Sequence, residues 1–142
     1  MELPGCINLF VYNTLRSGFH KMAYHYISQY FSFVDTGKIS GVLTDVHGEP
    51  FATPSGKSFI HGELYTLNDP EDFSFAFGQL DDYEGLDTEA GEKPLYKRET
   101  VTVQKDKGAE TNAWIYWYRG DVHGYPVISS GDTIEYYGEK NF

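Results

Sequence analysis

Glu84 is the chemically least expected residue in its part of the chain. Phe73, Ala76, Phe77 and Leu80 fall at spacings of three and four, one apolar stripe of a helix, and four more residues lead to Glu84. If the last turn stays helical, a carboxyl group lies on the face that acids normally avoid. Desolvation there would raise its pKa toward the range useful for moving protons near neutrality. A second stretch, LFVYNTLRSG at 9–18, begins as an apolar strand over residues 7–12 and breaks at Asn13-Thr14-Leu15 before a helix. A strand that feeds a small polar turn and then a helix exposes several backbone N–H groups at one point, a cradle for an anion. An amide cradle beside a proton-transferring carboxyl group makes one site, and the two stretches are expected to meet.

Each residue also has a plainer reading. Glu84 could end a helix near the surface, with Asp81 and Asp82 as solvated acids, and Asn13-Thr14 could be a turn with ordinary Asx chemistry. Glu63 lies between Gly62 and Leu64 on a strand, where a salt bridge or a place on the sheet rim suits it better than catalysis. Tyr96, Tyr116 and Tyr118 read as core or wall residues, with the Tyr118 hydroxyl available to line a pocket. Arg16 is the charged group nearest the turn. The histidines at 20, 25, 47, 61 and 123 lack metal-ligand spacing, so no metal is expected.

The positioning elements follow from periodicity. Ser17 can cap a helix from 18 to 30 whose stripe is Phe19, Met22, Ala23, Tyr26, Ile27 and Tyr30. Residues 31–46 read as one or two strands, with Gly37 and Gly41 as bends or bulges. Residues 47–50 read as a turn, and 53–56 as loop. FIHGELYTL, 59–67, is a strand in which Gly62 marks the close passage of a second backbone. Asp69, Pro70 and the acids after them start the helix that carries Phe73 to Leu80. Residues 87–94 read as surface loop. Strands at 96–104 and 113–118 form a hairpin, and the tail, 126–137, has room for one short strand and the turn 129–132. Six or seven strands and two helices without a βαβ rhythm predict an α+β domain over residues 1–142, a small, mostly antiparallel barrel with flanking helices.

Composition narrows the function classes. Eleven Lys and Arg against twenty-one Asp and Glu leave a formal charge of −10, with no basic stripe, which argues against nucleic acid and anionic membrane partners. One cysteine, Cys6, allows no internal disulfide, and its place in the first apolar strand reads as core rather than nucleophile. No signal peptide and no span-length apolar run is evident, so a cytoplasmic protein is expected.

The chain resembles the gamma-glutamylcyclotransferase-like proteins, closest to their short gamma-glutamylamine cyclotransferase branch. LFVYNTLRSG is similar to the opening strand with its Tyr-Gly-Thr/Ser-Leu turn, and HGELY to the Gly-Glu-Leu-Tyr strand. LDDYEG resembles the Leu-Asp-x-x-Glu-Gly segment, YKRETVTV the Tyr-x-Arg-x-x-Val strand, and ISSGD the closing Ile-x-Ser-Gly-Asp. Five landmarks occur in order over nearly the whole chain. The resemblance implies a barrel-like fold with flanking helices. It also implies a ring closure in which the α-amine of a γ-glutamyl amide attacks its own γ-carbonyl, giving 5-oxoproline and a free amine. Glu84 then corresponds to the family's acid/base, while Tyr12, Asn13, Thr14, Leu15 and Tyr118 form the substrate-binding set. No cofactor is implied, because the nucleophile is inside the substrate. Asn13 stands where the family turn usually has Gly. Asn is the commonest non-Gly residue in the left-handed region, so the backbone shape can survive while the side chain fills space that Gly leaves empty. Two other classes stay open: a non-catalytic small-molecule binding domain that keeps the pocket, and a structural domain in which the pocket is vestigial.

Overall fold

A computed structural model of the chain describes residues 6–12, 22–83 and 96–138. Among these residues the strands are β1 (Asn8–Val11), β2 (Phe31–Ser40), β3 (Val42–Val46), β4 (Glu49–Thr53), β5 (Phe59–Leu67), β6 (Tyr96–Lys105) and β7 (Glu110–Tyr118). The helices are α1 (Met22–Tyr30), α2 (Phe73–Tyr83) and the short α3 (Thr133–Gly138). Five strands close a barrel in the order β1-β5-β2-β6-β7, while β3 and β4 form a separate hairpin. Every barrel pairing is antiparallel except the closure, where β1 meets β7 in parallel at Leu9 and Trp114. The expected α+β, mostly antiparallel barrel with flanking helices is the observed architecture.

Alternation along the strands divides the core in two. Phe10, Tyr12, Ile39, Ile60, Leu64, Val103, Ala113, Ile115 and Trp117 form one buried cluster, and Leu43 and Ala52 of the β3–β4 hairpin complete it. The intervening residues, Leu9, Val11, Tyr65, Leu67 and Tyr116, face Ile27 of α1 and Ala76, Phe77 and Leu80 of α2. The barrel wall around β1 and β5 is therefore covered on both faces, which is why Gly62 to Tyr65 are all buried without a break.

Gly62 is required by proximity. A Cβ there would lie 2.3 Å from the Val11 carbonyl oxygen and 2.6 Å from Cζ of Phe10, so the expected close passage is that of β1. Gly37 meets the β6 backbone in the same way, 2.7 Å from the Gln104 oxygen, and is not a bend; the irregularity in β2 falls between Phe33 and Asp35. Gly41 is the break between β2 and β3.

The structure adds two elements to the sequence reading. The 47–50 turn is tighter than expected: only His47 (φ 55°) and Gly48 (φ 86°) make it, so β4 resumes at Glu49. Two central residues at positive φ match the twist of a two-residue hairpin. The tail continues past the expected 129–132 turn into α3, where Asp132 Oδ1 accepts the Glu135 N–H at 3.2 Å. Aspartate followed three residues later by glutamate is a helix-start signature that the reading passed over.

Candidate active site

The chain is held firmly where it leaves β1. Tyr12, the first residue past the strand, is 2% exposed. Its hydroxyl donates to the Tyr116 carbonyl at 2.6 Å, and its own carbonyl accepts the hydroxyl of fully buried Thr133 on α3. Both ends of the residue are therefore tied, one to β7 and one to α3.

The second approach runs along α2. Asp69 accepts the Glu71 N–H at 3.0 Å and Pro70 follows at the first helical position, so a single 3₁₀ turn, Pro70–Asp72, leads into the helix as expected. Ala76, Phe77 and Leu80 are buried against β1, β5 and β7, which fixes the rotation of the helix. At its last turn Asp81 is not a solvated acid. Its Oδ1 accepts Arg98 Nε at 2.8 Å and the Tyr116 hydroxyl at 2.7 Å, while Oδ2 accepts Arg98 Nη2 at 3.1 Å. The Arg98 guanidinium lies over the rings of Trp114 (4.6 Å), Phe77 (5.2 Å) and Phe73 (5.8 Å). This two-pronged pair is about four-fifths buried at both side chains and carries aromatic support on its flank.

Tyr116 joins the two approaches. Its hydroxyl holds Asp81 at the end of α2, and its carbonyl holds Tyr12 at the end of β1. Tyr12 is the last described residue before Asn13, Thr14 and Leu15, and Asp81 lies three residues before Glu84. Those four predicted site residues, with Arg16, lie outside the described residues, as does the expected 87–94 loop.

Tyr118, the remaining predicted site residue, ends β7 and is half-buried. Its ring stacks on Phe51 of β4, with centroids 4.1 Å apart and planes 19° from parallel, and meets Tyr96 edge-on at 5.9 Å. Tyr96 opens β6 opposite Tyr118, so this aromatic wall stands two residue pairs beyond Tyr116 and Arg98. Glu63 is buried and accepts the Tyr65 hydroxyl at 2.7 Å; it pairs with Val11 on one side and Thr36 on the other, within the barrel wall. Cys6 differs from the expected core residue. It precedes β1, is partly exposed, and its thiol points to the Asn112 carbonyl at 3.5 Å.

Sequence reasoning therefore missed Asp81, Arg98 and Thr133 as structural determinants of this region. Arg98 carried a signal: in the hairpin of β6 and β7 it stands opposite Tyr116. Thr133 carried none, since its role depends on where α3 docks. Among the described residues, no group of three or more His, Cys, Asp or Glu side chains is placed to hold a metal ion, and no helix is long and apolar enough to cross a membrane.

The fold is similar to solved structures. YkqA from Bacillus subtilis matches with a TM-score of 0.66 at 25% identity, over 95% of this chain and 43% of that one; the chain thus spans less than half the length of that relative. Protein ytfP from Escherichia coli matches with a TM-score of 0.61 at 26% identity, over 92% and 98% of the two chains. An AIG2-like protein from Mus musculus matches with a TM-score of 0.63 at 22% identity over 84% of each chain. No curated protein matches the chain. The family model for gamma-glutamyl cyclotransferase, AIG2-like, matches residues 9–135, which include most of β1, the Tyr116 junction and the Asp132 cap, and the chain belongs to that family.

Proposed function

We propose that the protein closes the ring of a γ-glutamyl amide or γ-glutamyl peptide, releasing 5-oxoproline and a free amine in the cytoplasm, with Glu84 as the acid/base. The α-amine nitrogen forms a bond to the γ-carbonyl carbon, and the bond from that carbon to the amide nitrogen breaks. Glu84 takes the proton that the attacking amine loses and returns one to the leaving nitrogen, so the step balances without a cofactor or metal. The substrate supplies its own nucleophile, and the protein's task is to hold it folded, where effective molarity supplies much of the rate. The amides of Asn13, Thr14 and Leu15 supply donors for the substrate carboxylate or the developing oxyanion. Tyr12 fixes their backbone, and the Tyr118 ring forms part of the wall.

The observation that carries this reading is the Tyr116 junction. One side chain and its own carbonyl tie down the residues that lead into the predicted amide cradle and the predicted acid/base. Incubation with a panel of γ-glutamyl amines and dipeptides tests it: 5-oxoproline should form from at least one, and Glu84→Gln should abolish its formation while the protein stays folded. A Glu84→Gln variant that turns over like the parent would end the assignment. Asn13 in place of the family's Gly favours a second reading, a binding domain without turnover. Thermal stabilisation by the same panel with no 5-oxoproline would select it.

A further inference from the structure

Asp81 and Asp82 lie in the last turn of α2, Glu84 follows in sequence, and that turn carries no basic residue. The helix dipole is negative at this end, so acids there repel both it and one another. The offsetting charge comes from another element: Arg98, on β6, grips Asp81 through two nitrogens. Its planar group is held from behind by Trp114, Phe77 and Phe73, so it cannot swing away without losing that contact. Tyr116 adds a third bond to the same carboxylate. A surface ion pair would contribute little and move freely; this one is mostly buried, three-bonded and aromatic-backed. Its placement is also specific, since Tyr116 is the residue that ties down Tyr12.

We infer that Arg98, through Asp81 and with Tyr116, is a positioning residue: it fixes the end of α2 three residues before Glu84 and ties it to the strand that anchors Tyr12. The inference rests on the cyclotransferase reading of Glu84. It assigns Arg98 one effect, setting the geometry of the helix end.

The effect is read in Arg98→Gln and Arg98→Lys, assayed for 5-oxoproline release beside the parent and Tyr116→Phe. Arg98→Gln should lower kcat on the order of tenfold to a hundredfold, the scale of a misplaced catalytic group, with KM little changed. Arg98→Lys keeps the charge and loses the two-pronged grip, so its kcat should recover only in part. Tyr116→Phe deletes one bond to Asp81 and should lower kcat severalfold. It also serves if Arg98→Gln does not fold. Folded Arg98→Gln protein, or Tyr116→Phe protein in its place, with parental kcat would overturn the inference. So would a loss matching only the fraction unfolded. If the parent turns over and Glu84→Gln does not, such a result removes the inference alone. If the parent releases no 5-oxoproline, the reading of Glu84 falls and the inference falls with it.

Discussion

Gly62→Ala adds one methyl group at the point where the barrel has no room for it. The new Cβ would stand 2.3 Å from the Val11 carbonyl oxygen, against an ordinary contact of 3.4–4 Å, so more than 1 Å must be found. The neighbour is backbone and cannot rotate aside. The second contact, Phe10, is buried to 1% exposure and has nowhere to go. β1 must therefore move off β5, and β1 is only four residues long, pairing at Asn8, Leu9, Phe10 and Val11. Overpacking of this kind costs about 1–3 kcal/mol, and unyielding neighbours place this case at the upper end. For a chain of this length that is a fall in Tm of roughly 5–12 °C. The matched control is Gly78→Ala in α2. No atom lies within 4 Å of a Cβ at Gly78, so the same methyl should instead stabilise, by about 0.5–1 kcal/mol, through helix propensity. Thermal unfolding of both variants beside the parent gives the comparison. Opposite signs are expected. A Gly62→Ala protein as stable as the parent would refute the contact between β1 and β5, and with it the placement of Tyr12.

Tyr12→Phe removes a hydroxyl donor from the buried Tyr116 carbonyl and should cost about 1–3 kcal/mol, seen as a lower midpoint in urea; an unchanged midpoint would mean that the bond is not formed in solution. Cys6 should react with a thiol reagent in the native state, more slowly than a free thiol but without global unfolding, because it is only partly covered; labelling limited to the rate of global unfolding would restore the buried reading. Asn13→Gly should leave Tm within a few degrees of the parent and shift the substrate preference, or bring out activity, whereas Asn13→Val should be the least stable of the three. Equal stability of the Val variant would show that residue 13 does not need positive φ, and the amide-cradle argument would fail.

Local chemistry made much of this fold readable. The bounds of β5 follow from FIHGELYTL, the start of α2 from Asp69 and Pro70, and the hairpin of β6 and β7 from two alternating runs around a polar turn. β4 was hidden because Glu49 and Pro50 look like turn residues, while the turn is completed by the two residues before them. Proline is tolerated there because β4 pairs with β3 alone and leaves its other edge unpaired within the sheet. The misreading of Asp81 has a different cause. An acid at a helix end reads as solvated unless its partner is known, and Arg98 is seventeen residues away on a strand. Pairings across that distance are set by how α2 docks on the barrel, which no local pattern encodes.

The double anchoring of Tyr12 bears on how a family can keep its fold and vary its site. The Tyr12 hydroxyl and carbonyl are bonded to β7 and α3, and β1 is registered on β5 by Gly62, so the barrel is complete before residue 13 is reached. At the other approach, Asp81, Arg98 and Tyr116 bond the helix end to β6 and β7. Thermal unfolding of Gly62 and Tyr12 variants therefore tests the barrel, while turnover of Asn13 and Glu84 variants tests the proposed site.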